Sequence, residues 1–124
     1  MIIGIGCDIV DIPRIQRSVQ RFGKAFLKRV YTEKEQDNIH GVKEQYLAGR
    51  FAAKEACVKA LGTGFTQGIQ MTDIEIVTDK GGAPALFLYG RARHLADERG
   101  ITAIHVSISH EKGYALAFVV LEGS

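Results

Sequence analysis

The sequence predicts an α+β fold in which an antiparallel sheet packs against one long helix, and three observations carry that reading. Short apolar and β-branched runs occur at Ile74 to Thr78, Ala85 to Leu88, Ala103 to Ser109 and Tyr114 to Leu121, and tight turns at Lys80-Gly81-Gly82 and Lys112-Gly113 join them in pairs. Short turns allow only antiparallel neighbours, which disfavours a doubly wound parallel sheet. The stretch from Lys43 to Leu61 is rich in Ala, Leu, Glu and Lys, all good helix formers. Finally, 124 residues are about what one compact core needs, so residues 1–124 read as a single domain.

Taken in order, Ile2, Ile3, Ile5 and Cys7 form a buried strand expected to end near Asp8, with Gly4 and Gly6 marking a close backbone approach. From Asp11 the apolar residues Ile12, Ile15, Val19 and Phe22 recur at helical spacing, with Asp11 as the cap and Pro13 in the first turn. Gly23 breaks this helix near Arg21, and Phe26, Leu27 and Val30 predict one or two further turns. Thr32-Glu33-Lys34-Glu35 reads as a capping box opening another short helix. The long helix stops at Gly62-Thr63-Gly64, a hairpin follows, and Ala92, Leu95 and Ala96 belong to a helix ending at Gly100. Two long strands close the chain.

Sixteen Lys and Arg against fourteen Asp and Glu leave a net charge of +2, too small for wholesale affinity to nucleic acid or membranes. The longest apolar stretch, Ala115 to Leu121, is far short of the roughly 20 residues a spanning helix needs. Met1-Ile2-Ile3-Gly4-Ile5 lacks the basic opening of a secretory signal, so a cytoplasmic location is expected, with Cys7 and Cys57 as buried thiols.

Four constellations can carry chemistry. Asp8 ends an apolar strand and Glu55 interrupts an apolar helix, and carboxylates in such settings call for a cation, for which Mg²⁺ is the natural candidate. The bland alternatives are a turn residue for Asp8 and an i,i+4 ion pair with Lys59 for Glu55. On the same helix Arg50 and Lys54 share one face while Glu55 and Lys59 share another. Gly62-Thr63-Gly64 offers backbone N–H groups to a phosphate, or simply a helix cap. Ser107-Ile108-Ser109-His110 delivers a histidine to a strand end without a hydrolase triad, and His40, His94 and His105 show no zinc spacing with the cysteines. Arg14, Arg17 and Arg21, at i, i+3 and i+7, make a basic stripe that suits an acidic partner or serves solubility alone.

Ile5-Gly6-Cys7-Asp8-Ile9-Val10, Arg50-Phe51-Ala52-Ala53-Lys54-Glu55-Ala56 and Ser107-Ile108-Ser109-His110, in this order and over essentially the whole chain, resemble the holo-acyl-carrier-protein synthases. The resemblance implies transfer of 4′-phosphopantetheine from coenzyme A to a serine of an acidic acyl carrier protein, releasing adenosine 3′,5′-bisphosphate, for fatty acid biosynthesis. It assigns Asp8 and Glu55 to Mg²⁺, Glu55 or a metal-bound water to deprotonation of the serine, and Lys59 to catalysis by stabilising charge on the pyrophosphate. Arg50 and His110 fall to the 3′-phosphate, Lys54 and Gly62-Thr63-Gly64 to further phosphate contacts, and Gly82 to Pro84 to the border of the adenine. Arg14, Arg17 and Arg21 would dock the carrier protein. The short members of the family are homotrimers with active sites at subunit interfaces, so the same assembly is expected here. Longer relatives read Asp-x-Glu in the first motif; with Val10 in the last place, water or another oxygen ligand would take over at the metal. The rivals are a coenzyme A-binding module without turnover and a Mg²⁺-dependent phosphoesterase.

Overall fold

The computed structural model describes residues 1–124. In chain order its elements are β1 (Ile2–Asp11), α1 (Ile12–Phe22), α2 (Lys24–Val30), α3 (Glu33–Asp37), α4 (Lys43–Leu61), a 3₁₀ turn (Met71–Asp73), β2 (Ile74–Thr78), β3 (Pro84–Leu88), α5 (Gly90–Glu98), β4 (Ile101–Glu111) and β5 (Tyr114–Gly123). The strands form two antiparallel sheets, one of order β1-β5-β4 and one the β2-β3 hairpin. The α+β class and the antiparallel pairing are as the sequence predicts.

Period-two alternation decides which face of the larger sheet is dry. Ala115, Ala117, Val119 and Leu121 are buried, whereas Tyr114, Leu116 and Phe118 between them are exposed. The register places Gly6, Asp8 and Val10 of β1 beside Val119, Ala117 and Ala115, on the inner face. Helix α4 crosses this face so closely that a Cβ on Gly6 would fall on the Ala56 carbonyl oxygen, and one on Gly4 on that of Ala60. Glycine here lets backbone meet backbone. One cluster of 28 buried apolar residues runs from this interface to Ile74 and Ile76 of β2 and Leu86 and Leu88 of β3.

Three local expectations are corrected. Strand β1 does not end near Asp8 but continues to Asp11, because the ladder to β5 stays in register from Gly4↔Leu121 to Asp11↔Tyr114 and carries Asp8 opposite Ala117. Asp11 stands at the N-cap of α1 without a side-chain capping bond, and its carboxylate instead lies 3.8 Å from Arg17. Cys7 is exposed on the outer sheet face; only Cys57 is buried, and burial pushes its thiol up to about 12. The capping box is present in full: Thr32 Oγ1 accepts the Glu35 N–H at 3.2 Å, and Glu35 Oε1 accepts the Thr32 N–H at 2.9 Å. No helix is long and apolar enough to cross a membrane.

Candidate active site

From Tyr46 to Leu61 every residue of α4 is buried except Glu55 and Lys59. These two open toward β1, where Asp8 projects from the inner sheet face. Lys59 Nζ donates to Asp8 Oδ1 at 2.8 Å and to the Cys7 carbonyl at 3.1 Å, so the ammonium pairs across elements rather than with Glu55 four residues earlier. The hydrogen bond it donates to Asp8 holds the Lys59 ammonium above its ordinary pKa. Glu55 is half-buried, and desolvation first, then repulsion from Asp8, raises its carboxyl above the ordinary range. Two carboxylates whose charges repel in a partly desolvated setting fit a divalent cation, which would relieve both penalties. No third His, Cys, Asp or Glu joins them as a cluster of metal-ligand spacing. That donor set suits Mg²⁺, which keeps several waters and takes substrate phosphates alongside one or two carboxylates.

The opposite face of α4 carries Arg50. Its guanidinium lies 4.0 Å from the Tyr46 ring centroid, and one terminal nitrogen donates to Thr78 Oγ1 at 2.8 Å. Its Nε is buried with no partner, leaving an N–H free for an anion. Arg50 lines a cavity of about 260 Å³ with Lys34, Asn38, His40 and Thr78. It also lines a cleft of about 160 Å³ that contains His40 and His110. His110 lies on the inner face of β4 opposite Ala115, while Ser107 and Ser109 point outward. Pro84 opens β3 directly opposite Thr78, which brings the hairpin turn to the same groove. Arg50, His110 and Pro84, far apart in sequence, are thus gathered.

Two other assignments are corrected. Lys54 cannot face a phosphate: it is fully buried, and its ammonium donates to Glu35 Oε1 at 2.8 Å, to the Met71 carbonyl at 2.9 Å and to the Ile74 carbonyl. An ammonium has three donors and all are used. Likewise Gly62-Thr63-Gly64 is a helix cap. Gly62 takes the left-handed conformation (φ 79°) and bonds the Lys59 carbonyl, while the Thr63 and Gly64 amides both turn back to the Val58 carbonyl. Those N–H groups are spent inside the chain.

The basic stripe is realised on α1, where Arg14, Arg17 and Arg21 border one open groove with Ser18 and Phe22. Arg14 stacks 5.5 Å over Phe51 and Arg21 lies 5.2 Å over Phe22, itself more than half exposed. Arg14 is near enough to Glu55 to pull its pKa back down, so the stripe ends at the carboxylates. The sequence by itself does not place Tyr46, His40 and Lys34 along the Arg50 groove, nor Glu35 beside Lys54 in the core. An aromatic at i−4 from Arg50 was the available signal for Tyr46; nothing local marks His40, and a capping-box glutamate gives no hint that it will be buried.

The chain matches the 4′-phosphopantetheinyl transferase superfamily over residues 4–119. It is 50% identical over 122 residues to the holo-[acyl-carrier-protein] synthase of Desulfovibrio desulfuricans, covering 98% of each chain. Among solved structures it is similar to the holo-[acyl-carrier-protein] synthase of Neisseria meningitidis (TM-score 0.90, 44% identity, 98% of this chain and 99% of that one). It is also similar to that of Helicobacter pylori in complex with coenzyme A (TM-score 0.86, 38% identity, 95% and 99%). With nearly its whole length matched in sequence and in fold, the chain belongs to the 4′-phosphopantetheinyl transferase superfamily.

Proposed function

We propose that this protein is a holo-acyl-carrier-protein synthase, transferring 4′-phosphopantetheine from coenzyme A to a serine of an acidic acyl carrier protein for fatty acid biosynthesis. The observation that carries the reading is the position of Glu55, Lys59 and Asp8, the one polar opening in a buried helix, between a cationic groove at Arg50 and His110 and a basic face at Arg14, Arg17 and Arg21. The groove suits the phosphorylated nucleotide end of coenzyme A, and the stripe suits an acidic helix.

Asp8 and Glu55 would hold Mg²⁺, which when bound supplies charge neutralisation at the pyrophosphate. The serine hydroxyl of the partner attacks the β-phosphorus, and its proton passes to Glu55 directly or through one water. As the new P–O bond forms, the bond to the bridging oxygen breaks and adenosine 3′,5′-bisphosphate leaves. Lys59, exposed and carried on a flexible stem, turns from Asp8 to the pyrophosphate and stabilises the leaving charge.

Assembly as a homotrimer, with active sites between subunits, belongs to the same proposal. Its support is the outer sheet face, where Ile5, Ile9, Leu116 and Phe118 are exposed side by side. Phe118→Glu is expected to yield monomers by light scattering; an unchanged mass would remove this support. A cytoplasmic location belongs to the same proposal, and it would keep Cys7 and Cys57 as the free thiols they are here.

The direct test is intact mass spectrometry of an apo carrier protein incubated with the chain, coenzyme A and Mg²⁺, with an EDTA control. A metal-dependent gain of roughly 340 Da on the carrier is expected. No gain with coenzyme A still bound would identify a binding module, and coenzyme A hydrolysis without carrier modification a phosphoesterase.

A further inference from the structure

The loop between α3 and α4 places His40 at the junction of the two cavities that share Arg50. Its ring meets Tyr46 edge-on with centroids 5.2 Å apart, and Tyr46 is fixed in turn by donating its hydroxyl to the Glu35 carbonyl at 2.5 Å. The same Tyr46 ring carries the Arg50 guanidinium on its face. One aromatic side chain therefore sets the positions of His40 and Arg50 together. The charged and titratable groups around His40 are Lys34 of α3, Tyr46 and Arg50 of α4 and His110 of β4, and no carboxylate lines either cavity. Such a surround favours a ligand with more than one negative charge.

His40 Nδ1 lies 3.0 Å from the Asn38 carbonyl oxygen. A carbonyl only accepts, so Nδ1 must donate. In the neutral ring Nε2 then carries a lone pair and repels a phosphate oxygen; only the imidazolium presents an N–H there. We infer that His40 is a specificity-determining residue of the Arg50 and His110 subsite: it takes the 3′-phosphate of coenzyme A as the imidazolium, so that recognition of this phosphate takes up a proton. The inference rests on the proposed function in taking coenzyme A as the ligand, and it adds a residue and a proton that the family motifs do not contain.

The test is calorimetric titration of the full chain with coenzyme A and with its 3′-dephospho form, at about pH 7.5 in two buffers of different ionisation heat, because imidazole changes charge between about pH 5 and 8. The wild type is expected to take up about half a proton or more with coenzyme A and markedly less with the dephospho form. His40→Ala should weaken coenzyme A about five- to tenfold, leave the dephospho form within about twofold, and lower the uptake. His40→Arg, a permanent cation, should keep the preference for coenzyme A while losing the same share of uptake, which a merely structural role would not produce. Unchanged proton uptake in His40→Ala, or equal weakening of both ligands, overturns the inference. If Arg50→Ala abolishes the preference and His40→Ala retains it, only the role of His40 fails. A wild type with no preference for coenzyme A over the dephospho form overturns the phosphate subsite itself, and this inference with it.

Discussion

Lys54 and Lys59 sit five residues apart on the same helix, yet they have opposite physics. Lys54 is sealed between α4, α3 and β2, and burial lowers the pKa of its ammonium even though Glu35 at 2.8 Å works the other way. Lys59 is about half exposed, and its bond to Asp8 raises its pKa. The first is committed: it closes a hub in which Glu35 also accepts from the Thr32 and Ile76 N–H groups. The second is available, since it is half exposed and a cation bound by Asp8 can take its place there. A charged residue in an apolar helix is therefore not by itself a sign of chemistry; what matters is whether its donors are already used.

The largest expected effect breaks the buried member of the pair. Lys54→Ala leaves Glu35 charged and buried without its partner, and should lower unfolding free energy by about 3–5 kcal/mol in urea denaturation. A loss near that of a surface substitution would erase the contrast. Lys59→Ala removes a half-exposed ion pair, so stability should change by no more than about 1 kcal/mol.

The exposed side should lose function instead. Glu55→Gln is expected to cut carrier modification about a hundredfold or more at unchanged stability, and Lys59→Ala to cut it about tenfold or more through kcat. Near-normal turnover in Glu55→Gln would remove the carboxylate pair from the mechanism.

The smallest effect extends the contrast to the two cysteines. Burial holds the Cys57 thiol protonated to about 12, against an ordinary value of 9.0. The folded pKa is raised, so this contribution to stability is complete below about pH 9 and is lost as pH rises toward 12. Urea midpoints should fall between pH 8 and pH 10 and fall less in Cys57→Ala, compared at each variant's own stability. Cys7, on the outer face of β1, should react with a thiol reagent in the Phe118→Glu monomer and be shielded in the assembled wild type. Equal reactivity in both would leave Cys7 outside the subunit interface.

Much of this molecule was legible in the chain itself. The paired strands, the capping box at Thr32 and Glu35, and α4 with its glycine stop depend on local periodicity and turn chemistry, which neighbouring residues dictate. Asp8 and Glu55 were expected together from carboxylates in apolar settings and from the family resemblance, whereas the ion pair of Lys59 with Asp8 rather than Glu55 was not. What the sequence could not give is which polar groups are already spent. The amides of Gly62, Thr63 and Gly64 read as phosphate donors until the helix end consumes them, and β1 reads as ending at Asp8 until β5 extends its ladder to Asp11. The same holds for Lys54, whose three donors find Glu35 and two carbonyls on segments 17 to 20 residues away. Periodicity fixes which face a residue occupies, but hydrogen-bond saturation is a property of atoms brought together from distant segments, so only the tertiary structure separates the committed lysine from the available one.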